Sequence, residues 1–303
     1  MGSRRTAGED ASVGYVTEAP TKAAVSDRLP VIEQPPSVGP ALTGGVTALG
    51  LATAFYAVVA GPAANAPLQA KIFMVLWLAV SATVTLAITP RHFTAGFLVG
   101  LGAMLIGWRI AALNDIGLVS YTLLLAFIAF VVQFFDCIRR DLQSSAPVQT
   151  LSGWMLTFIR AYVGFDLVPH FTEKLFGGPV PFNDDVAVFA QLGLPFPELF
   201  VVLGGLCEFG IMVGFGLGLF TRLAAPCAAL YYLIATFAGG HFSSGFIWAN
   251  GGWEYSALMM VLFLTFAYAG AGAFSLDRAL LAAGRVPPGF MVFSVRREAP
   301  GFD

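Results

Sequence analysis

The chain has 303 residues, of which 57% are hydrophobic and only 11% are charged. Soluble domains carry roughly a quarter charged residues, so this composition excludes an ordinary soluble protein and indicates an integral membrane protein. The net charge of −2 gives no reason to expect a nucleic-acid partner. Cys137, Cys207 and Cys227 lie in or beside apolar runs, and these positions predict no disulfide framework.

Residues 1–40 differ from the rest of the chain, because they are polar, charged and proline-containing and show neither helical nor strand periodicity. Segments with so little apolar surface cannot bury enough of it to offset the entropy of ordering the chain. We therefore predict a disordered N-terminal tail, followed by a membrane domain that begins near residue 41.

Eight apolar segments follow, each close to the roughly 20 residues that a helix needs to cross a bilayer. Helices are expected because lipid offers no hydrogen-bond partner to an exposed backbone. Turn residues, such as those in "GPAANAP" and "GGPVPFNDD", separate the segments. The predicted spans are residues 41–61, 69–88, 93–112, 116–135, 152–172, 197–219, 223–240 and 253–272.

The positions of lysine and arginine predict the orientation of these spans. With the N-terminus in the cytoplasm, twelve of the 16 basic residues face the cytoplasm. Lys71 and Lys174 then lie outside, and Arg109 and Arg160 lie within spans. This asymmetry follows the positive-inside rule. Both termini are therefore predicted to be cytoplasmic, in the inner membrane of a prokaryote, with membrane lipid as the surrounding partner.

The spans divide into two groups of four, separated by a basic linker. This division predicts an all-α polytopic membrane protein with eight transmembrane helices in two four-helix groups. The predicted units after the tail are a four-helix extension at 41–135, a cytoplasmic linker at 136–151, a second four-helix bundle at 152–284 and a cytoplasmic tail at 285–303.

Charged residues inside the predicted spans are costly in lipid, so each is expected to have a partner or a function. Arg160 and Glu208 lie at similar depths on spans five and six, and an ion pair would keep both in lipid economically. We predict this pair, either as a lock between helices or as part of a site. Arg109 is expected to anchor at the interface or to pair with Asp115.

A second group of polar residues lies at the outer ends of the later spans. Asp166, His170 and Glu173 recur at i, i+4 and i+7, a spacing that predicts one shared helical face, and Pro169 is expected to kink the helix. Histidine exchanges protons most easily near neutral pH, and clustered titratable groups indicate a site. The candidate catalytic residues are His241, Glu254 and His170, and the candidate substrate-binding residues are Lys174, Asp166, Trp248 and Trp253.

Three interpretations of this outer cluster remain open. The first is an aromatic belt at the membrane surface, with its polar groups wetted by water. The second is a metal site built from His170, His241 and a carboxylate, although no tight histidine spacing supports it. The third is a pocket for a small molecule or a quinone head. Because the chain has no motif for haem, iron–sulfur clusters or nucleotides, we expect no cofactor in the chain itself.

Four segments of the second group carry a further pattern, namely "RAYVGFDLVPHFTEKLFG", "GGLCEFGIMVGFGLGLFTRLAA", "HFSSGFIWANGGWEY" and "GAGAFSLDR". In order and spacing they resemble the DoxX family of four-helix membrane proteins, which includes DoxD-type subunits, over about residues 153–282. The polar positions that match the family pattern include Arg160, Lys174, Glu208, His241 and Glu254.

The resemblance implies quinone-linked electron transfer, since family members are described as subunits of a thiosulfate:quinone oxidoreductase or of a terminal quinol oxidase. Our first hypothesis is a membrane subunit of a quinone-linked oxidoreductase, with an outer pocket for a quinone head or a small reductant and electrons exchanged with the substrate or a partner subunit. The alternative is a non-catalytic structural or assembly subunit of a larger membrane complex. A transporter ranks last, because the second bundle offers almost no polar path.

Overall fold

The computed structural model describes residue 32, residues 39–285 and residue 293. The predicted tails at 1–40 and 285–303 lie almost wholly outside the described residues. Within the described part, all regular structure is helical. The predicted all-α polytopic membrane fold is therefore confirmed.

Eleven α-helices make up the described part of the chain. Helices α2 and α8 each continue into one π-helical turn, at Val84–Ile88 and Met212–Gly216. The α-helices are α1 (Gly39–Ala60), α2 (Leu68–Thr83), α3 (Phe93–Leu113), α4 (Gly117–Leu142), α5 (Leu151–Phe165), α6 (Val168–Leu175), α7 (Pro179–Gln191), α8 (Pro197–Ile211), α9 (Thr221–Ala238), α10 (Glu254–Ala269) and α11 (Leu276–Ala282).

Six of these helices are long and apolar enough to cross a membrane: α1, α2 with its π turn, α3, α4, α8 with its π turn, and α9. The two other predicted spans coincide with shorter helices. Helix α10 has 16 residues and is apolar. The predicted span at 152–172 is divided between α5 and α6.

Pro169 explains the division between α5 and α6. Proline has no N–H to donate to the carbonyl of Phe165, so the helical hydrogen-bond ladder is interrupted there. Helix α5 ends at Phe165, and α6 begins at Val168 with the proline in its first turn. The interruption falls where the kink was expected, and Asp166 and Leu167 lie between the two helices.

Helix α7 was predicted as a turn, and that prediction is wrong. The segment "GGPVPFNDD" continues into a helix of 13 residues that begins at Pro179. Proline is favoured at the first helical position, because its fixed backbone angle suits the helix and its missing N–H would have no partner there. None of the residues of α7 is buried, so this helix lies on the surface of the bundle between α6 and α8.

The two groups of helices pack against each other through aromatic rings. Phe274 precedes α11, and its ring centroid lies 5.6 Å from those of Phe97, Phe134 and Trp154. These rings come from α3, α4 and α5 respectively. The contact therefore joins the first group of helices to both ends of the second group.

The linker between the groups is ordered by one carboxylate. Asp141 accepts hydrogen bonds from the backbone N–H groups of Val148, at 2.8 Å, and Gln149, at 3.1 Å. It also accepts one from Trp154 Nε1 at 2.8 Å. These three bonds form a compact turn that fixes where α5 starts relative to the end of α4.

Candidate functional site

The buried arginine of α5 does not pair with the glutamate predicted for it. Arg160 is fully buried and donates to the backbone carbonyls of Phe215 and Phe274, the latter at 2.8 Å. A carbonyl group within the π turn of α8 and another just before α11 thus take the place of a carboxylate. The predicted Arg160–Glu208 pair is wrong, because similar depth in the membrane does not make two helical faces meet.

Close backbone packing surrounds this arginine. A Cβ atom on Gly164 would lie 2.0 Å from the backbone nitrogen of Gly216. Asp277 accepts hydrogen bonds from the backbone N–H groups of Phe220, at 2.8 Å, and Thr221, at 3.4 Å, at the start of α9. Burial raises the pKa of the Asp277 carboxyl to about 6. These contacts join α5, α8, α9 and α11 at one end of the bundle, so their role is structural.

Glu208 instead pairs with a lysine of α6. Lys174 Nζ lies 3.1 Å from Glu208 Oε2, and each side chain is only 9% exposed. Tyr231 Oη donates to Glu208 Oε1 at 2.8 Å. The carboxylate therefore connects α6, α8 and α9 in an almost dry environment.

A further carboxyl group from α7 lies near this pair. Asp185 as a whole is half-buried, but its Oδ2 atom is shielded from solvent and has no hydrogen-bond partner among the described residues. Burial raises the pKa of the Asp185 carboxyl, while the charge of Lys174 acts in the opposite direction. The lysine therefore has carboxyl groups of both α7 and α8 in its surroundings.

The arginine of α3 and the glutamate of α6 join the two groups of helices. Arg109 Nη2 forms an ion pair with Glu173. Asp115, which was the alternative to an interfacial anchor, lies beyond the end of α3 with a left-handed backbone. The alternative pairing of Arg109 with Asp115 is therefore wrong, and α6 supplies the carboxylate instead.

Four of the predicted site residues do lie in one contiguous cluster, which we call the connector cluster: Asp166, His241, Trp248 and Glu254, joined by Tyr255. Tyr255 Oη donates to Asp166 Oδ2, and the ring of Tyr255 lies 5.1 Å from that of Trp248. The imidazole of His241 lies 5.6 Å from the Trp248 ring. Glu254 Oε2 accepts from the backbone N–H of Trp248 at 3.2 Å.

The other predicted site residues lie elsewhere. His170 is exposed, and its backbone carbonyl, not its ring, is 3.2 Å from Lys174 Nζ. Trp253 packs edge-on against Phe246, with 4.8 Å between centroids. Among the described residues, no group of three or more His, Cys, Asp or Glu side chains is arranged to hold a metal ion.

A large cleft opens between α3, α4 and α5, with a volume of about 640 Å³. We call it the seam cleft, because both groups of helices line it. Its walls are almost entirely apolar and aromatic, and they include Phe97, Phe130, Phe134, Phe158 and Phe165. Asp166 lines the cleft; His241, Glu254, Lys174 and Trp248 do not. The predicted outer pocket therefore coincides with this cleft only at Asp166.

The charged groups of the seam cleft lie at one end. On α3 the lining runs from Phe97 to Ala112, a distance of about 22 Å at 1.5 Å per residue. Arg109 lies close to the Ala112 end, as does Asp166 at the end of α5. The cleft thus combines a long apolar channel with one charged end, on the side predicted to face outwards.

Comparison with known families identifies part of the chain. Residues 155–241 match the DoxX family model. This DoxX segment runs from α5 to the start of the loop after α9, so it contains Arg160, Lys174, Glu208 and His241. No curated protein and no solved structure matches the chain.

The DoxX segment supplies only part of the seam cleft. It contributes α5 and the break that carries Asp166, whereas α3 and α4 precede it. The resemblance found in the sequence is therefore confirmed for residues 155–241, and the chain is a multi-pass membrane protein with a DoxX-like segment, which α1–α4 precede and α10 and α11 follow. Of the preceding helices, α3 and α4 line the cleft, and α3 carries Arg109.

Several residues of these clusters were not among the predicted site residues. Tyr255 and Tyr231 bind carboxylates far away in sequence, and a tyrosine in an apolar helix gives no signal of its partner. Asp141 lay in the linker, where a buried role was not expected. Among these residues, Arg109 gave the clearest indication of a functional role in the sequence, since a charged residue within a predicted span is unusual.

Proposed function

We propose that this DoxX-like protein is the membrane component of a quinone-linked oxidoreductase and that its seam cleft binds the quinone. The observation that supports this proposal is the pairing of a long apolar channel with a single charged end that carries Arg109 and Asp166. A volume of about 640 Å³ lies within the range of about 300–1,000 Å³ typical of small-molecule pockets.

The shape and polarity of the cleft suit a membrane quinone. Its isoprenoid tail would lie along the phenylalanines of α3, α4 and α5. The ring would reach the charged end, where Trp108 and Phe165 offer flat surfaces for stacking. A phospholipid fits less well, because its phosphate would lie beside the carboxylate of Asp166 and be repelled.

The residues at the charged end have distinct proposed roles. Arg109 donates a hydrogen bond to a ring oxygen, and Asp166 exchanges a proton with it, supported by Tyr255. His241 and Glu254, which we proposed as proton-exchanging residues, act on this arrangement from the connector cluster. Both contact Trp248, which packs on Tyr255.

Two predicted residues act outside the cleft in this proposal. Lys174 holds α6 against α8 through Glu208, which keeps the neighbouring Glu173 in place for its pair with Arg109. His170 is exposed on the outer side and would exchange protons with water. The electrons would enter or leave through a redox centre on a partner subunit, because the sequence carries no cofactor motif.

Filling the cleft tests the proposal. The protein would be purified from quinone-containing membranes, and bound quinone would be extracted and measured by chromatography. We expect wild-type protein to retain quinone and Leu101→Trp and Ala161→Trp, which fill the cleft from opposite walls, to lose it. Leu233→Trp, on the exposed surface of α9, is the matched control and should retain it. Equal quinone content in all four proteins would refute the proposal.

A non-catalytic assembly subunit is the second candidate, and one observation favours it. Met155, Phe158 and Tyr162 form an exposed strip on α5, at 59%, 50% and 63% exposure. Such a strip could pack against a transmembrane helix of another subunit. If the protein is stable only within a larger complex and retains no quinone, the assembly function is correct instead.

A further inference from the structure

We infer that the seam cleft binds the reduced, hydroxyl-bearing form of its ligand more tightly than the oxidised form, and that Asp166 is the residue that determines this preference. The inference rests on the proposed function, because it concerns the same cleft. It goes further by assigning the oxidation state that the cleft selects and the side chain that selects it.

The hydrogen-bonding groups at the charged end support this inference. Arg109 uses Nη2 for Glu173, and none of the described residues accepts a hydrogen bond from its Nη1 or from its buried Nε. Asp166 uses Oδ2 for Tyr255, and none of the described residues donates to its Oδ1. The charged end therefore presents spare donors of Arg109 and one spare acceptor oxygen of Asp166 to a ligand in the cleft.

The spare acceptor distinguishes the two oxidation states. A quinone has only carbonyl oxygens, which accept hydrogen bonds, whereas each hydroxyl of a quinol can both donate and accept. A quinone carbonyl beside Asp166 would face a second acceptor without a proton between them. A quinol hydroxyl there would donate to the carboxylate, and such charge-assisted hydrogen bonds are about twice as strong as neutral ones.

The Oδ1 atom of Asp166 stays free to accept a hydrogen bond from a ligand. Asp166 lies in the break between α5 and α6, and within the described ranges no lysine or arginine side chain forms an ion pair with it. Tyr255 holds the carboxylate from the side of α10, and Trp248 packs on that tyrosine. The carboxylate is thereby oriented without being neutralised by a cation.

Other polar side chains along the cleft do not remove this preference. Trp108 and Tyr162 also line it and carry donors, so a quinone can still be bound there. Asp166 is the one carboxylate among the lining residues. The Lys174–Glu208 pair is 9% exposed and does not line the cleft, so it offers no competing acceptor.

The test compares both forms of one probe on the purified full chain in lipid nanodiscs. Under anaerobic conditions, a benzoquinone with one isoprene unit and its hydroquinone are titrated, and quenching of tryptophan fluorescence reports binding. We expect the hydroquinone to bind about tenfold more tightly, which raises the two-electron potential of the bound couple by about 30 mV. Equal affinities would overturn the inference but leave quinone binding, and thus the proposed function, intact.

Two variants assign the preference to one side chain. Asp166→Asn replaces the acceptor oxygen with an amide that can donate to a carbonyl, so the affinity ratio should fall to about one. Asp184→Asn removes an exposed carboxylate of α7 that does not line the cleft, and the ratio should persist. Persistence of the ratio in Asp166→Asn would overturn the assignment.

A ligand-side test applies if Asp166→Asn does not fold. The dimethyl ether of the same hydroquinone keeps the ring and the tail but has no hydroxyl to donate. We expect wild-type protein to bind this ether about tenfold less tightly than the hydroquinone. An ether that binds as tightly as the hydroquinone would overturn the inference. If Leu101→Trp and wild type fail alike to bind any of these probes, the proposed function itself is wrong.

Discussion

The buried ion pair between α6 and α8 provides the sharpest test of the structure. Replacing Glu208 with leucine leaves the ammonium group of Lys174 almost buried without its carboxylate, and it removes the acceptor of Tyr231. Replacing Lys174 with methionine leaves the carboxylate of Glu208 almost buried without its ammonium partner. Each single substitution therefore removes the ion-pair partner of a charge that stays almost buried inside the bundle.

The magnitude follows from the burial of the pair. Removing one partner of a buried ion pair typically destabilises a protein by about 3–5 kcal/mol, and replacing both partners with apolar residues is often close to neutral. Both side chains are 9% exposed, so solvent screening reduces this value only slightly. We expect Glu208→Leu and Lys174→Met each to lower the free energy of unfolding by about 3 kcal/mol, and the double variant to recover most of it.

The assay is reversible unfolding in mixed detergent micelles, followed by tryptophan fluorescence. The double-mutant cycle of Lys174 and Glu208 gives the coupling energy of the pair. A second cycle, with Arg160→Met and Glu208→Leu, is the matched control. Those two residues share no partner in the described part of the chain, so their effects should add within about 0.5 kcal/mol.

Two outcomes would refute this reasoning. Additive effects for Lys174 and Glu208 would mean that the pair contributes nothing specific. A large coupling energy between Arg160 and Glu208 would show that the pairing suggested by membrane depth is correct and that the structural assignment is wrong.

Three further predictions concern the contacts that hold the bundle together. Gly164→Ala should destabilise the protein by about 1–3 kcal/mol, because its Cβ would lie 2.0 Å from a backbone nitrogen in the π turn of α8. Gly210→Ala, where a Cβ meets no atom within 4 Å, is the control and should be neutral or stabilising in chemical unfolding. Trp154→Phe removes the 2.8 Å hydrogen bond to Asp141 and should cost about 1.5–3 kcal/mol in the same assay. Asp277 has a folded-state pKa of about 6 against an ordinary value of 3.8, so its stabilising contribution is complete below pH 3.8 and is lost as the pH rises through 6. Relative to Asp277→Asn, wild-type protein should therefore lose stability between pH 4 and pH 7 in unfolding experiments.

Each of these predictions has a clear contrary result. Equal stability of Gly164→Ala and Gly210→Ala would mean that α5 does not approach the π turn closely. An unchanged unfolding curve for Trp154→Phe would show that the hydrogen bond between Trp154 and Asp141 does not stabilise the fold. A constant stability difference between wild type and Asp277→Asn over this pH range would show that the carboxyl is not perturbed by burial.

The membrane segments were largely predictable from the sequence. The span predicted at 93–112 corresponds to α3, and the span at 69–88 corresponds to α2 with its π turn. Both agree because the bilayer imposes a length and an apolar composition that can be read without tertiary contacts. A kink at Pro169 was predicted within one continuous span, since the missing N–H of proline acts locally, and the structure divides that span into α5 and α6.

The candidate site was predictable only where its contacts are local. His241, Trp248 and Glu254 lie within 14 residues of one another, and the structure joins them as neighbours. The partner of Asp166 is Tyr255, 89 positions further along the chain. Nothing in the composition or periodicity of α10 indicates which side of that helix faces the break.

The apolar composition alone determined that this chain forms a bundle of membrane helices, and the distribution of its basic residues predicts how that bundle is oriented. Only the tertiary structure decided which charges meet and that α3 and α4 supply one wall of the seam cleft. The physical reason is that lipid constrains length and polarity along the membrane normal, whereas the rotation of each helix and the choice of its neighbours depend on side-chain packing. Arg160 and Glu208 show the difference, since both lie at the depth expected for a pair and yet bind other partners.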